Sequence, residues 1–184
     1  MIALTPIAET HLAHVQSHAS HPSIGSTSNV PSPYPENGAA IWFALVSARI
    51  TAGQSEVFAI TLDQAFCGVV SLNGISRESG SAELDYWVAV PFQRKGIASR
   101  AAALAISHAQ QNLGLKSLLS SCLASNTASA LVLERNGFVM FEHAEVESGK
   151  FQGQDLKRFC LQMPNPSIER TCPGKPGQAS HLKR

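Results

Sequence analysis

The segment Glu83–Ser99, ELDYWVAVPFQRKGIAS, restricts the possible folds of this chain more than any other segment. Large side chains alternate along its first half, so we predict a strand over 82–90 that Pro91 ends. Beyond the loop, helical spacing is indicated by a stripe of Ile97, Ala101, Leu104 and His108. Gly114 is placed to close the last turn of this helix. The predicted strand is therefore followed by a short cationic loop, and the loop is followed directly by a helix.

The segments on either side predict a mixed α/β sheet with helices on its faces. A hairpin is predicted from strands 56–62 and 66–75 around Asp-Gln-Ala, and a later strand over 116–125. A short helix follows, with Asn126 as its N-cap and Gly137 as its left-handed C-cap. Two more strands are predicted over 138–147 and 155–163. The predicted order is three strands, helix, strand, helix and two strands.

Length and composition predict one domain over 1–163. The chain has 184 residues and 44% apolar content, enough for one sizeable core. The last segment, 164–184, is rich in proline and poor in large apolar residues, so we expect a disordered tail there. The segment Ser20–Gly38 has the composition of a long loop, a length usually connected with function or mobility.

Charge and cysteine content exclude several classes of partner. The formal net charge is +1, so no overall field favours nucleic acid or an acidic membrane surface. The four cysteines form no CxxC pair, which argues against a zinc site or a disulfide framework and agrees with a reducing compartment. The first residues have no signal-peptide pattern and no later segment has the apolar length of a membrane span. We therefore expect a cytoplasmic protein that binds neither nucleic acid nor membrane.

The loop and helix start at 93–99 have the features of an anion site. The first N–H groups of a helix lack partners within the helix and lie at the positive end of its dipole. Here they belong to Gly96, Ile97, Ala98 and Ser99. Positive charge is added by Arg94, Lys95 and Arg100. A diphosphate fits this arrangement best; the alternative is an ordinary solvated helix start. The nucleotide-binding patterns GxxxxGKS/T and GxGxxG are absent, which disfavours ATP and dinucleotides.

Two linked motifs resemble those of the GCN5-related N-acetyltransferases (GNATs), and within them the RimJ/RimL-like branch that acetylates protein N-terminal amines. The first is the loop motif of Gln93, Gly96 and Ala98. The second is the NxxSxxxxExxGF motif formed by Asn126, Ser129, Glu134, Gly137 and Phe138. The resemblance implies a mixed sheet whose splayed strands form a cleft for acetyl-CoA.

The resemblance also implies roles for individual residues. The loop amides of 93–99, with Arg94 and Lys95, would hold the pyrophosphate of coenzyme A. The backbone of Val88 and Val90 would pair with the pantetheine arm, which the Asn126 side chain would also contact. Ser129 would protonate the departing thiolate. The backbone N–H near Val88 would polarise the thioester carbonyl.

Acetyl transfer to nitrogen needs a neutral amine, and two carboxylates are candidates for the base. An α-amine, with a pKa of about 7.7–8.0, needs far less help from a base than a lysine at about 10.4. Glu83 is the better-placed base and Asp85 shares its strand face. GNATs often have glycine in place of Asp85, so the assignment stays open between the two. Glu83 has the alternative of being an exposed strand carboxylate, and Ser129 that of being a first-turn serine.

Four histidines recur along one helical stripe beside the apolar residues Leu12, Val15 and Ala19. They are His11, His14, His18 and His21. A metal site is one interpretation, but no carboxylate or cysteine joins them. A solvated polar face explains the same spacing, so we expect no metal.

The leading functional hypothesis is acetyl transfer from acetyl-CoA, as co-substrate, to a protein or peptide N-terminal amine by direct attack. One alternative is a small-amine acceptor such as a polyamine, amino acid or aminoglycoside, and another is a non-catalytic acyl-CoA-binding module. The protein would act as a monomer or homodimer.

Overall fold

The computed structural model describes residues 1–164, and a seven-stranded sheet forms its centre. The strands, in chain order, are β1 (Ile2–Pro6), β2 (Ser55–Leu62), β3 (Ala65–Ser76), β4 (Ser81–Val88), β5 (Ser117–Leu123), β6 (Val139–Glu145) and β7 (Asp155–Gln162). The helices are α1 (Leu12–Ala19), α2 (Pro22–Gly25), α3 (Gly38–Thr51), α4 (Ile97–Gln111) and α5 (Thr127–Arg135). The spatial order of the strands is β1-β2-β3-β4-β5-β7-β6. The α/β class and the mixed sheet are therefore confirmed.

Two apolar layers cover the faces of the sheet. One lies under α4 and α5, with the fully buried Leu84, Leu118, Leu133 and Phe159 among its residues. The other lies under α1 and α3 and includes Val15, Val46, Phe66 and Val69. The side chains of β4 alternate between the layers, so that Leu84 and Val88 face α4 while Trp87 faces α1 and α3.

Among the strands of residues 1–164, β4 and β5 are the only parallel neighbours, and the sheet opens between them. β4 and β5 pair at just three positions, Ser81 with Ser117, Ala82 with Leu118 and Glu83 with Leu119. Where pairing stops, the buried Ser120 hydroxyl donates a 2.7 Å hydrogen bond to the Leu84 carbonyl. Beyond that point the two strands diverge, leaving a V-shaped cleft toward the end of β4. The predicted splay is present.

Several sequence predictions of local structure are confirmed. The hairpin between β2 and β3 turns at Asp63 and Gln64, both with positive φ as a two-residue primed turn requires. Asn126 caps α5 by accepting a 3.1 Å hydrogen bond from the Ser129 N–H. Gly114 and Gly137 are both left-handed, with φ of 64° and 84°.

Other predictions were wrong. β4 ends at Val88, and a short 3-10 turn, Val90–Phe92, follows because the Phe92 N–H donates to the Ala89 carbonyl and turns the chain out of the sheet. The segment 20–38 is not loop throughout: it contains α2, and Gly38 begins α3. The helix that the stripe from Ile97 indicated is present as α4, although Leu104 of that stripe is 41% exposed and buried alanines make the packing. β1 and α3 were not predicted, and the tail 165–184 lies outside the part of the chain that the structure describes.

The histidine stripe is not simply a solvated face. The rings of His14 and His18 stack on Phe66 with centroids 5.7 and 6.1 Å away, and His11 lies 6.2 Å from it. The histidines therefore cover an aromatic residue of the second core layer. Within residues 1–164, no group of three or more histidine, cysteine or acidic side chains is arranged to hold a metal ion.

Candidate active site

The loop Gln93–Gly96 connects the end of β4 to the start of α4 and leaves its amides uncapped. Arg94 and Gly96 both have positive φ, 59° and 73°, which turns the chain sharply into the helix. Gly96 occupies the N-cap position, where no side chain accepts a hydrogen bond from the first turn. A Cβ at Gly96 would meet no atom within 4 Å, so the space beside the loop at this position is open. An anionic group has room to approach the loop there.

Two side chains of this region, those of Gln93 and Lys95, bond to backbone carbonyls, and two others are exposed. Gln93 Nε2 donates a 2.9 Å hydrogen bond to the Val88 carbonyl, so Gln93 fixes the loop to the end of β4. Lys95 Nζ donates to the Pro91 carbonyl at 2.8 Å and lies over the Phe92 ring. Arg94 and Arg100 are exposed at the mouth of the loop. On the far side, Asn136, the residue that follows α5, donates to the backbone carbonyl and hydroxyl of Ser99, which holds the end of α5 against the start of α4.

The backbone of β4 presents free polar groups to the cleft. The Ala89 N–H donates to the Cys67 carbonyl of β3, so in an antiparallel pair the peptide groups of Val88 and Tyr86 point the other way, toward β5. No strand of residues 1–164 pairs with them there, because β5 has already diverged. The Val88 carbonyl is already bonded to Gln93, which leaves its N–H as the free group. The Val90 carbonyl accepts from the Gln93 N–H within the 3-10 turn.

Two carboxylates lie on the α1 and α3 side of the cleft. Asp85 Oδ2 accepts a 2.9 Å hydrogen bond from Asn73 Nδ2, which also donates to Ser71 Oγ at 3.0 Å. Glu83 has no hydrogen bond or ion pair to the protein within residues 1–164, and it is exposed to solvent. Burial raises the pKa of Asp85, against the lowering effect of Asn73. Although Glu83 as a whole residue is exposed, partial desolvation of its carboxylate raises its pKa; the Asp85 charge raises this pKa further, and the Arg158 charge opposes both.

A hydroxyl pair lies on the opposite face of β4. Tyr86 Oη is 2.9 Å from Ser129 Oγ and 3.2 Å from the Ser129 carbonyl, which it can reach as a donor. Burial raises the pKa of Tyr86 to about 12, so this phenol stays protonated at neutral pH. When Tyr86 donates to Ser129 Oγ, the serine proton is free to point into the cleft. Tyr86 was missed by the sequence analysis, although strand alternation already placed it on the face opposite Asp85.

The predicted residues are thus brought together around one opening. Glu83 and Asp85 lie on one face of β4, Ser129 approaches the other, and the 93–99 loop closes the end of the strand. Asn126 stands at the start of α5, where its Oδ1 is used by the helix cap and its Nδ2 has no partner in the described part of the chain. Val90 departs most from expectation, since it lies in a turn rather than at a strand edge.

Comparisons with known proteins agree with this geometry. Residues 2–139 match the acetyltransferase (GNAT) domain family, so the chain belongs to the GNAT acetyltransferases. This confirms the resemblance that the two motifs indicated. The "Ribosomal-protein-serine acetyltransferase" of Escherichia coli strain K12 is 33% identical over 88 residues, which are 48% of this chain and 49% of that protein. The chain is therefore aligned with only about half the length of this relative.

Solved structures show the same fold at low identity. RimL, a ribosomal L7/L12 α-N-protein acetyltransferase solved with coenzyme A, has a TM-score of 0.81 at 17% identity, covering 88% of this chain and 94% of that one. The spermidine N-acetyltransferase of Vibrio cholerae, solved with CoA and spermine, has a TM-score of 0.77 at 22% identity, covering 88% of this chain and 95% of that one.

A helix that combines the length and apolar character needed to cross a bilayer does not occur within residues 1–164.

Proposed function

We propose that this protein transfers the acetyl group of acetyl-CoA to a primary amine by direct attack. The observation that carries the proposal is the placement of two carboxylates and a hydroxyl pair on opposite faces of β4, beside the cleft where β4 leaves β5. An amine that enters from the carboxylate side would meet the thioester in the cleft. The thiolate would then leave on the hydroxyl side.

The 93–99 loop is the proposed site of the coenzyme pyrophosphate. Its uncapped amides and the neighbouring Arg94 and Arg100 supply positive potential, and the free Val88 N–H supplies a donor in the cleft. Asn126 Nδ2 is available to the pantetheine arm. The backbone of Val90 would also contact the pantetheine arm, but from a 3-10 turn and not from a strand edge.

Glu83 is the proposed base and Asp85 its charged neighbour. Asp85 is held in place by Asn73, whereas the Glu83 carboxylate is exposed and free to reach an amine or a water molecule. As the C–N bond forms, the amine proton goes to Glu83 and the C–S bond breaks. The thiolate takes the Ser129 proton, which solvent replaces, and the products are the acetylated amine and free CoA.

We propose the α-amine of a protein or peptide as the acceptor. A neutral α-amine is present at about a tenth of its total near pH 7, so an exposed carboxylate suffices as the base. The ribosomal-protein acetyltransferases among the relatives support this class. A second candidate, a polyamine, is favoured by the two carboxylates that lack a cationic partner within residues 1–164, and by the spermidine acetyltransferase of similar fold.

Separate measurements of binding and turnover test the proposal. Acetyl-CoA at a hundredfold excess over its dissociation constant should stabilise the protein by about 2.7 kcal/mol in thermal denaturation, whereas ATP and NAD should not. Glu83→Gln should keep this stabilisation and lose about a hundredfold or more of the amine-dependent CoA release. Stabilisation without CoA release from any amine would show a binding module instead of an enzyme.

A further inference from the structure

Lys150 makes an unusual connection across the cleft. It lies in the turn between β6 and β7, and its Nζ donates to the backbone carbonyls of Ser28 and Val30, at 2.8 and 2.5 Å. Its ammonium also lies 4.7 Å from the centre of the Phe151 ring. The Lys150 side chain is exposed, and its partial desolvation lowers its pKa.

The two segments that Lys150 joins belong to different halves of the molecule. Ser28 and Val30 lie between α2 and α3, in a segment fixed to α1 because Gln16 bonds both the Pro35 carbonyl and the Ala39 N–H. The β6–β7 turn leaves the sheet beside the end of β5, where the Ala124 N–H donates to the Asp155 carbonyl. Among the hydrogen bonds of residues 1–164, only those of Lys150 join the β6–β7 hairpin to the layer of α1, α2 and α3.

This connection lies at the open end of the V. β4 and β5 are paired at their first residues and diverge toward Val88 and Leu123, and the β6–β7 turn projects from the diverging end. To reach Ser28 and Val30 it must cross to the side of the sheet on which Glu83, Asp85 and Trp87 lie. The cleft is therefore bridged on the side from which an amine would enter. We call residues 26–31 and 147–153, joined by Lys150, the strap.

We propose that Lys150 is a specificity-determining residue, whose strap restricts the acceptor to amines on slender, flexible groups and rejects amines on folded surfaces. The inference rests on the proposed function and deepens it. A small amine or a flexible N-terminal segment can pass beneath or beside a bridge made by one side chain. An amine close to a folded surface cannot, because its surroundings would collide with both segments.

Three variants separate the bridge from other effects of lysine. Lys150→Met keeps most of the length of the apolar stem but loses the donors and the charge over Phe151. Lys150→Arg keeps donors for both carbonyls, and should behave as the wild type does. Lys116→Met removes an exposed lysine at the start of β5, whose side chain packs on Gly80, and serves as the matched control.

The experiment compares kcat/KM for a short flexible peptide with kcat/KM for the N-terminal amine of a compactly folded protein. Lys150→Met should raise the value for the folded acceptor about tenfold, equivalent to about 1.4 kcal/mol, and change the peptide value by less than about twofold. Amide hydrogen exchange in 26–31 and 147–153 should become faster in Lys150→Met, and stay at the wild-type rate in Lys150→Arg and Lys116→Met.

Each result decides between the two proposals. The deciding quantity is the ratio of kcat/KM for the folded acceptor to kcat/KM for the peptide. If the wild type acetylates the peptide but this ratio does not change in Lys150→Met, or changes equally in Lys116→Met, the strap inference is wrong and the proposed function stands. Unchanged exchange in both segments overturns the inference as well. If the wild type acetylates neither acceptor, the selectivity assigned to Lys150 is wrong; if it also acetylates no polyamine or other small amine of a panel, the proposed function is wrong as well.

Discussion

Glu83 and Asp85 are two residues apart on one strand face, yet their hydrogen-bonding surroundings differ. Asn73 holds Asp85 in place, whereas Glu83 is exposed and has no protein partner within residues 1–164. The sequence could place both carboxylates on one face because strand alternation is local. It could not separate their roles, because Asn73 comes from β3 and Arg158 from β7, which only the folded sheet brings near.

The first prediction concerns the acid limb of the pH profile of kcat. Glu83 must be ionised to act as a base, so kcat falls as pH drops through its pKa. Asp85→Asn removes a charge that raises this pKa and should move the acid limb to lower pH. Arg158→Met removes a charge that lowers it and should move the limb to higher pH. With one acceptor throughout, titration of the amine is common to all variants. Shifts in the same direction, or none, would exclude Glu83 as the base.

A second prediction concerns the hydroxyl pair. Ser129→Ala should lower kcat by about a hundredfold, since the thiolate loses its proton donor. Tyr86→Phe should have a smaller effect, because Tyr86 is a positioning residue that acts through Ser129 at 2.9 Å. The double variant should then be no slower than Ser129→Ala alone, measured as a double-mutant cycle in kcat. Fully additive losses would mean that the two hydroxyls act independently.

At the scale of elements, the strand, loop and helix of 82–111 were predictable because each signal is local: alternation, a proline, a glycine and helical spacing. The end of β4 was predicted two residues late, since the alternation of side chains continues through Val90 although the chain has already entered the 3-10 turn Val90–Phe92. The helix α3 was missed because its sequence lacks the pattern of an amphipathic helix. Its sequence, GAAIWFALVSARIT, is apolar on most sides and shows little periodicity.

A third prediction uses two glycines of like geometry. Gly96 and Gly114 have φ of 73° and 64°, and a Cβ at either position would meet no atom within 4 Å. Alanine at either site should therefore destabilise the protein by about 1 kcal/mol in urea unfolding, the usual cost of a left-handed conformation. Only Gly96→Ala adds a methyl group to the loop proposed for the pyrophosphate, so it alone should weaken acetyl-CoA binding by calorimetry, by about tenfold. Equal affinities of the two variants for acetyl-CoA would show that this loop does not bind the pyrophosphate.

At the scale of the whole molecule, a three-residue parallel pairing joins β4 to β5, and the cleft opens where it ends. The order of the strands was only partly predictable, since β7 inserts between β5 and β6 and β1 adds an edge that the sequence did not indicate. The Lys150 bridge was beyond prediction for the same reason. Its partners are 120 and 122 residues away in sequence, and no motif marks such a pair.

The most direct test of the account is mass spectrometry of a peptide acceptor incubated with acetyl-CoA and either the wild type or Glu83→Gln, with released CoA thiol counted in the same sample. The account predicts acetyl groups on the peptide α-amine in a one-to-one ratio with thiol, and a loss of both in the variant. It would be contradicted if the folded wild type bound acetyl-CoA but left every peptide and small amine of a panel unmodified.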